Sequence, residues 1–68
     1  MSTAATYSIV GMTCQHCVAS VTEELSAIPG VISVDVSLET ESANVVSEAP
    51  LEDAAVRIAV EEAGYELG

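Results

Sequence analysis

TYSIVGMTCQHCVASVTEELSAI, residues 6–28, changes its hydrophobic period part-way along. From Thr6 to Val10 apolar and polar residues alternate among β-formers, the pattern of a strand with one covered face. Beyond it Val18, Val21, Leu25 and Ile28 recur at three- and four-residue intervals. That spacing predicts a helix over residues 15–27 with one apolar stripe, Glu23 and Glu24 facing water. Gly11 ends the strand, and Pro29-Gly30 stops the helix.

A second unit of similar design follows. In Val31–Leu38 the residues Ile32, Val34, Val36 and Leu38 fall on one face of a strong strand, with Ser33, Asp35 and Ser37 on the other. Glu39–Ser42 reads as a turn into a third, weaker strand, Ala43–Ser47, paired antiparallel with the second. After Pro50 a second helix is expected from about Leu51 to Ala63, with Glu52 and Asp53 at its positive end. Of its two possible buried stripes, Val56/Ala59/Val60/Ala63 is favoured, because Leu51/Ala55/Ile58 continues onto Glu62. Gly64 ends it, and Tyr65-Glu66-Leu67 forms a short last strand or the stub of one. The order β-α-β-β-α-β predicts an α+β, ferredoxin-like sandwich: a four-stranded antiparallel sheet with both helices on one face, spanning residues 1–68 as one domain.

Sixty-eight residues bury only about 60% of their unfolded surface, too little for a deep enclosed active site. Eleven acidic residues against the single basic Arg57 give a formal charge of −10. Such a surface argues against binding nucleic acid or an anionic membrane, and favours a protein partner with a basic or mixed face. The apolar residues come in short bursts, so no membrane span is expected, and Met1–Ala5 lacks the basic and apolar regions of a signal peptide. A cytosolic protein is the expectation. In that reducing compartment two thiols act in catalysis or metal binding more often than as a structural bridge.

The two thiols are Cys14 and Cys17, placed where strand gives way to helix. Sulfurs at i and i+3 converge on one ion when the first sits on a loop and the second on the opening turn of a helix, whose free N–H groups favour thiolate. Two soft ligands with no obvious third suit Cu(I), which accepts low coordination numbers. By itself Cys-x-x-Cys also fits a zinc site or a dithiol oxidoreductase. A zinc site needs four ligands, and His16, lying between the cysteines, should project away from where the sulfurs converge. A Cys14–Cys17 disulfide would close too short a loop to add much stability and reads as an inactive form.

With these elements placed, the chain resembles the heavy-metal-associated domain family, and within it the bacterial copper chaperones of the CopZ type. The likeness runs from about Tyr7 to Leu67. It rests on Gly11-Met12-Thr13-Cys14-Gln15-His16-Cys17, Val21, Leu25, Ile28-Pro29-Gly30-Val31 and Glu61-Glu62-Ala63-Gly64-Tyr65. The resemblance implies that Cys14 and Cys17 are the Cu(I) thiolates and that Met12 tucks into the core below the loop. Thr13 most simply supplies a hydrogen bond at the helix start. His16 is either merely solvated or functional, altering thiolate protonation or serving as an extra ligand when two loaded molecules meet in a copper-bridged homodimer. Tyr65 falls on a loop facing the metal, where its ring would shield the ion.

What the family resemblance implies is a non-enzymatic copper chaperone, delivering Cu(I) by ligand exchange to a copper-transporting P-type ATPase or a copper-responsive regulator. The alternatives are an N-terminal metal-binding domain of such an ATPase, a mercury or zinc carrier, and a dithiol oxidoreductase. An initiator-like Met1 and an end soon after Tyr65 lead to the expectation of a complete small protein. The lack of lysine on the metal-binding face departs from family members that recognise acidic partners with basic residues.

Overall fold

The computed structural model describes residues 2–68, so the initiator-like Met1 lies outside the described residues. The elements run β1 (Thr3–Val10), α1 (Gln15–Ser26), β2 (Val31–Ser37), β3 (Ser42–Ser47), α2 (Asp53–Glu62) and β4 (Glu66–Leu67). The strands form one antiparallel sheet in the order β2-β3-β1-β4. This is the expected ferredoxin-like arrangement, with each helix carrying the chain across one strand before it returns to the sheet.

One face of the sheet supplies Tyr7, Ile9, Ala43, Val45, Val34 and Val36 to the core; α1 adds Cys17, Val21 and Leu25, and α2 adds Val56, Ala59 and Val60. Val21, Leu25, Val56 and Val60 have no accessible surface. Each such side chain contributes roughly 1.5–3 kcal/mol by leaving water. The favoured stripe of α2 is therefore the buried one, while Ile58 of the rejected stripe is 58% exposed. The opposite face of the sheet carries exposed Ala4, Thr6, Ser8 and Asn44.

Three local features depart from the periodic reading. β1 begins at Thr3 rather than Thr6, because Thr3, Ala4 and Ala5 lie in register with Ser47, Val46 and Val45. Weak alternation in small residues hid this extension. In β2, Val31 aligns with Ser47 but Ser33 with Val46, so Ile32 is the extra residue of a bulge. The bulge puts Ile32 on the solvent side, 57% exposed, and turns half-buried Val31 inward in its place. Finally β3, the weaker strand on hydrophobic content, is central. Its Ala43, Val45 and Ser47 are all buried, and two of these are small residues lying under the helices. The Ser47 hydroxyl is satisfied by donating to the Ala49 carbonyl at 2.7 Å.

Turn chemistry fixes the helix ends. Ile28-Pro29-Gly30-Val31 closes with Val31 N–H donating to Ile28 C=O at 3.2 Å, and Gly30 has φ +92°. Proline followed by a left-handed glycine is the signature of a type II turn. After α2 the Tyr65 N–H reaches Val60 C=O at 3.0 Å and the Gly64 N–H reaches Glu61 C=O at 2.9 Å, with φ +95° at Gly64. This paired closure is a Schellman motif. It directs the chain, and Tyr65 with it, back toward the end of β1.

Candidate metal centre

Residues 11–14 link β1 to α1. Gly11 takes φ +100°, a left-handed turn that only glycine adopts without strain. A side chain there would also meet the Tyr65 ring, whose nearest carbon is 3.3 Å from an ideal Cβ at Gly11. Met12 is 4% exposed and packs in the main core, the burial expected of it. Its thioether is polarizable filler that holds the base of the loop while Thr13 and Cys14 stay exposed.

Cys14 is the N-cap residue of α1, in extended conformation, and its carbonyl accepts from Cys17 N–H at 3.0 Å and Val18 N–H at 3.3 Å. No side chain caps this terminus, and no acidic residue occupies the first turn. The positive end of the helix is thus left for the sulfurs. Cys14 is exposed, Cys17 is buried, both are free, and their Sγ atoms stand 3.6 Å apart.

Around Cys17 the groups are donors. The Thr13 backbone N–H has the largest effect and the Tyr65 hydroxyl the next; the Cys14 N–H and thiol add to them, against burial, which favours the neutral thiol. The outcome is a Cys17 pKa of about 6, so this sulfur is a thiolate at neutral pH. Tyr65 responds in the opposite sense: donation to Cys17, then burial and the negative sulfurs, hold its phenol above the ordinary range. It remains a neutral donor.

Thr13 behaves otherwise than its sequence position suggests. The expected helix-start hydrogen bond is not made; the hydroxyl lies 3.8 Å from Cys17 Sγ instead. Tyr65 is half-buried, and beyond the ring expected over the loop its hydroxyl helps to lower the Cys17 pKa. The available signal was the glycine at each end of the contact, Gly11 and Gly64. Gln15 and His16 are both exposed. Among the described residues no group of three or more His, Cys, Asp or Glu side chains is placed to hold a metal ion. The structure therefore brings together Cys14, Cys17, Thr13 and Tyr65, puts Met12 beneath them, and leaves His16 at the surface.

The Heavy-metal-associated domain model matches residues 6–66. The chain belongs to this family. Heavy-metal-associated relatives include the COP-associated protein of Helicobacter felis, 40% identical over 60 residues, covering 88% of this chain and 91% of that one. Copper-transporting ATPase 1 of Rhizobium meliloti is 45% identical over 60 residues, or 88% of this chain, but the chain spans only 7% of that ATPase's length. Among solved structures, a CopZ metallochaperone superposes with a TM-score of 0.87 at 30% identity, covering 97% of this chain and 100% of its own. This heavy-metal-associated domain shares its fold as well as its sequence with metal-binding domains. Among the described residues no helix is long and apolar enough to cross a membrane.

Proposed function

We propose that residues 1–68 form a single copper-chaperone domain whose cargo is one Cu(I) ion held by Cys14 and Cys17. The observation that carries the reading is the asymmetric thiol pair, two sulfurs 3.6 Å apart with one buried and one exposed. At about 2.3 Å per metal–thiolate bond, two sulfurs in line across an ion stand roughly 4.6 Å apart. The pair needs to open by only about an ångström, which the exposed Cys14 can supply while the donors hold Cys17.

Soft ligands without a third partner favour Cu(I) over Zn(II), which prefers four. Relatives named as copper-transporting ATPases and COP-associated proteins support the same metal. Delivery proceeds by ligand exchange: an acceptor thiolate bonds to the ion from the exposed side, the bond to Cys14 breaks, a second acceptor thiolate bonds, and the bond to Cys17 breaks last. Copper stays Cu(I) throughout and is never free. The acceptor is the metal-binding domain of a copper-transporting P-type ATPase or a copper-responsive regulator, reached in the cytoplasm, and no substrate undergoes catalysis.

The test is anaerobic competition of Cu(I), Zn(II) and Hg(II) for the protein against chelators of known strength. One tightly held Cu(I) per chain, with Zn(II) far weaker, is the expected result. Preference for Zn(II) or Hg(II) over Cu(I), or thiol–disulfide turnover above that of a free dithiol, refutes the reading.

A further inference from the structure

β2 is the outer strand of the sheet on the side opposite β4. It lies between α1 and β3 in the chain, and no strand of the described residues pairs with its outer edge. Two hydrogen bonds give the polarity of that edge. Just before β3 the Glu41 C=O accepts from the Ile9 N–H at 2.8 Å, so in this strand the odd-numbered backbone groups face β1. Just after it the Glu48 N–H donates to the Gly30 C=O at 2.8 Å, so the even-numbered ones face β2. Ser33, Asp35 and Ser37, aligned with Val46, Asn44 and Ser42, therefore bond to β3. Val34 and Val36 direct both N–H and C=O outward.

Beyond the bulge, Ser33–Ser37 keep an unbroken register with β3, so this edge is a regular one. Val34 and Val36 belong to the core yet are only half-buried, which leaves apolar surface beside their outward backbone groups. No proline or lysine blocks the strand. Its one charge is the exposed Asp35, on the open face of the sheet with Asn44. A carboxylate in this place repels further copies of a chain of charge −10 and attracts a cation. Two β2 strands paired antiparallel about Asp35 would set their carboxylates directly opposite one another, a destabilising pair.

We infer that the β2 edge is a strand-docking site for an extended segment of a partner protein, alternately apolar and polar, with a lysine or arginine opposite Asp35. The backbone of the segment pairs with Val34 and Val36, and its apolar side chains cover the open flanks of these two valines. Main-chain hydrogen bonds give the grip and the facing side chains the selectivity, the usual division of labour in strand addition. Here Asp35 selects the sign of the charge. The inference does not rest on the copper reading.

The probe is a short capped peptide in which valine alternates with threonine and one central lysine, titrated into the protein and followed by amide chemical shifts and hydrogen exchange. Binding should slow exchange at the Val34 and Val36 amides. The amides of Ser33, Asp35 and Ser37, already bonded to β3, should change little and serve as the internal control. The same peptide N-methylated on its bonding amides should bind at least about tenfold more weakly, the scale of one or two net hydrogen bonds. With glutamate in place of the lysine, binding should weaken several-fold. Asp35→Lys, a change at an exposed side chain, should leave the circular dichroism spectrum as it is and reverse the preference, so that the glutamate peptide binds more tightly than the lysine one. Equal binding of the N-methylated peptide, Val34 and Val36 amides left unprotected, or an unreversed charge preference in Asp35→Lys would each overturn the inference. So would protection that grows with protein concentration in the absence of peptide, which would make the occupant a second copy of the chain.

Discussion

Cys17 is the residue on which the centre turns. Its pKa of about 6 means that the folded chain holds a thiolate where the unfolded chain holds a thiol. For a depressed acid the sign is fixed. The stabilisation is complete above the ordinary thiol range, shrinks as pH falls, and is gone once pH drops below about 6. Proton competition at the same sulfur should weaken Cu(I) binding as pH falls through and below about 6. Replacing Tyr65 by Phe removes a donor, so the Cys17 pKa should rise; the pH profile of Cys17 alkylation, compared with and without Tyr65→Phe in a Cys14→Ser background, measures the change. An unmoved profile would assign Tyr65 to packing alone. Either Cys→Ser change should abolish tight 1:1 Cu(I) binding with the fold retained by circular dichroism. Met12, buried in the core, should tolerate Met12→Leu at a cost below about 1.5 kcal/mol. Cu(I) affinity should barely move. A large affinity loss at normal stability would make its thioether a ligand.

Elements position that residue, and the α2 terminus shows how. Gly64 sits at φ +95° with open space around its Cα, so Gly64→Ala meets no clash and bears only backbone strain. The expected loss is about 1–2 kcal/mol in denaturant unfolding. Because the Schellman closure aims Tyr65 at the thiols, the same variant should raise the Cys17 pKa, linking a cap to a site. The β2 bulge makes the converse case. Ile32→Ser should change stability by less than about 0.5 kcal/mol, as at an ordinary surface position, whereas Val45→Ala in the adjacent central strand should cost several-fold more. Equal costs at the two positions would mean that the bulge does not persist in solution.

At the scale of the whole molecule charge dominates. A formal charge of −10 on 68 residues repels itself as well as acidic partners, and screening to about 8 Å at 0.15 M salt relieves both. Thermal stability should therefore rise from low to physiological salt. Binding one Cu(I) to two thiolates leaves the site negative, so the acceptor's docking face should be basic or mixed. The rate of copper transfer to such an acceptor should fall with the same rise in salt, while the equilibrium split of copper moves much less. Glu23→Gln with Glu24→Gln, on the helix that carries Cys17, should mimic added salt in stopped-flow transfer. Rates indifferent to both would leave the acidic surface a role in solubility only.

How much was legible in advance follows from the range of the forces involved. Period, turn residues and the Cys14/Cys17 spacing are local, and they were sufficient for the β-α-β-β-α-β order, the buried stripe of α2 and the seat of the thiols at a helix start. Fold class needed nothing more, because two amphipathic helices and a few alternating strands have few ways to cover one another. Which strand became central did not follow from hydrophobicity, since Ala43 and Ser47 are selected by the space beneath the helices rather than by transfer from water. Ile32 likewise reads as core in any periodic analysis, and only pairing with β3 reveals the residue that the ladder skips. The donors to Cys17 were hidden for a related reason. Tyr65 is 48 positions away in the chain and Thr13 only four, yet both reach the same sulfur once Gly11 and Gly64 turn left-handed and close the loop over the end of the sheet. Sequence specified which groups could ligate; the tertiary fold decided which of the two thiols is buried among donors and which is left exposed.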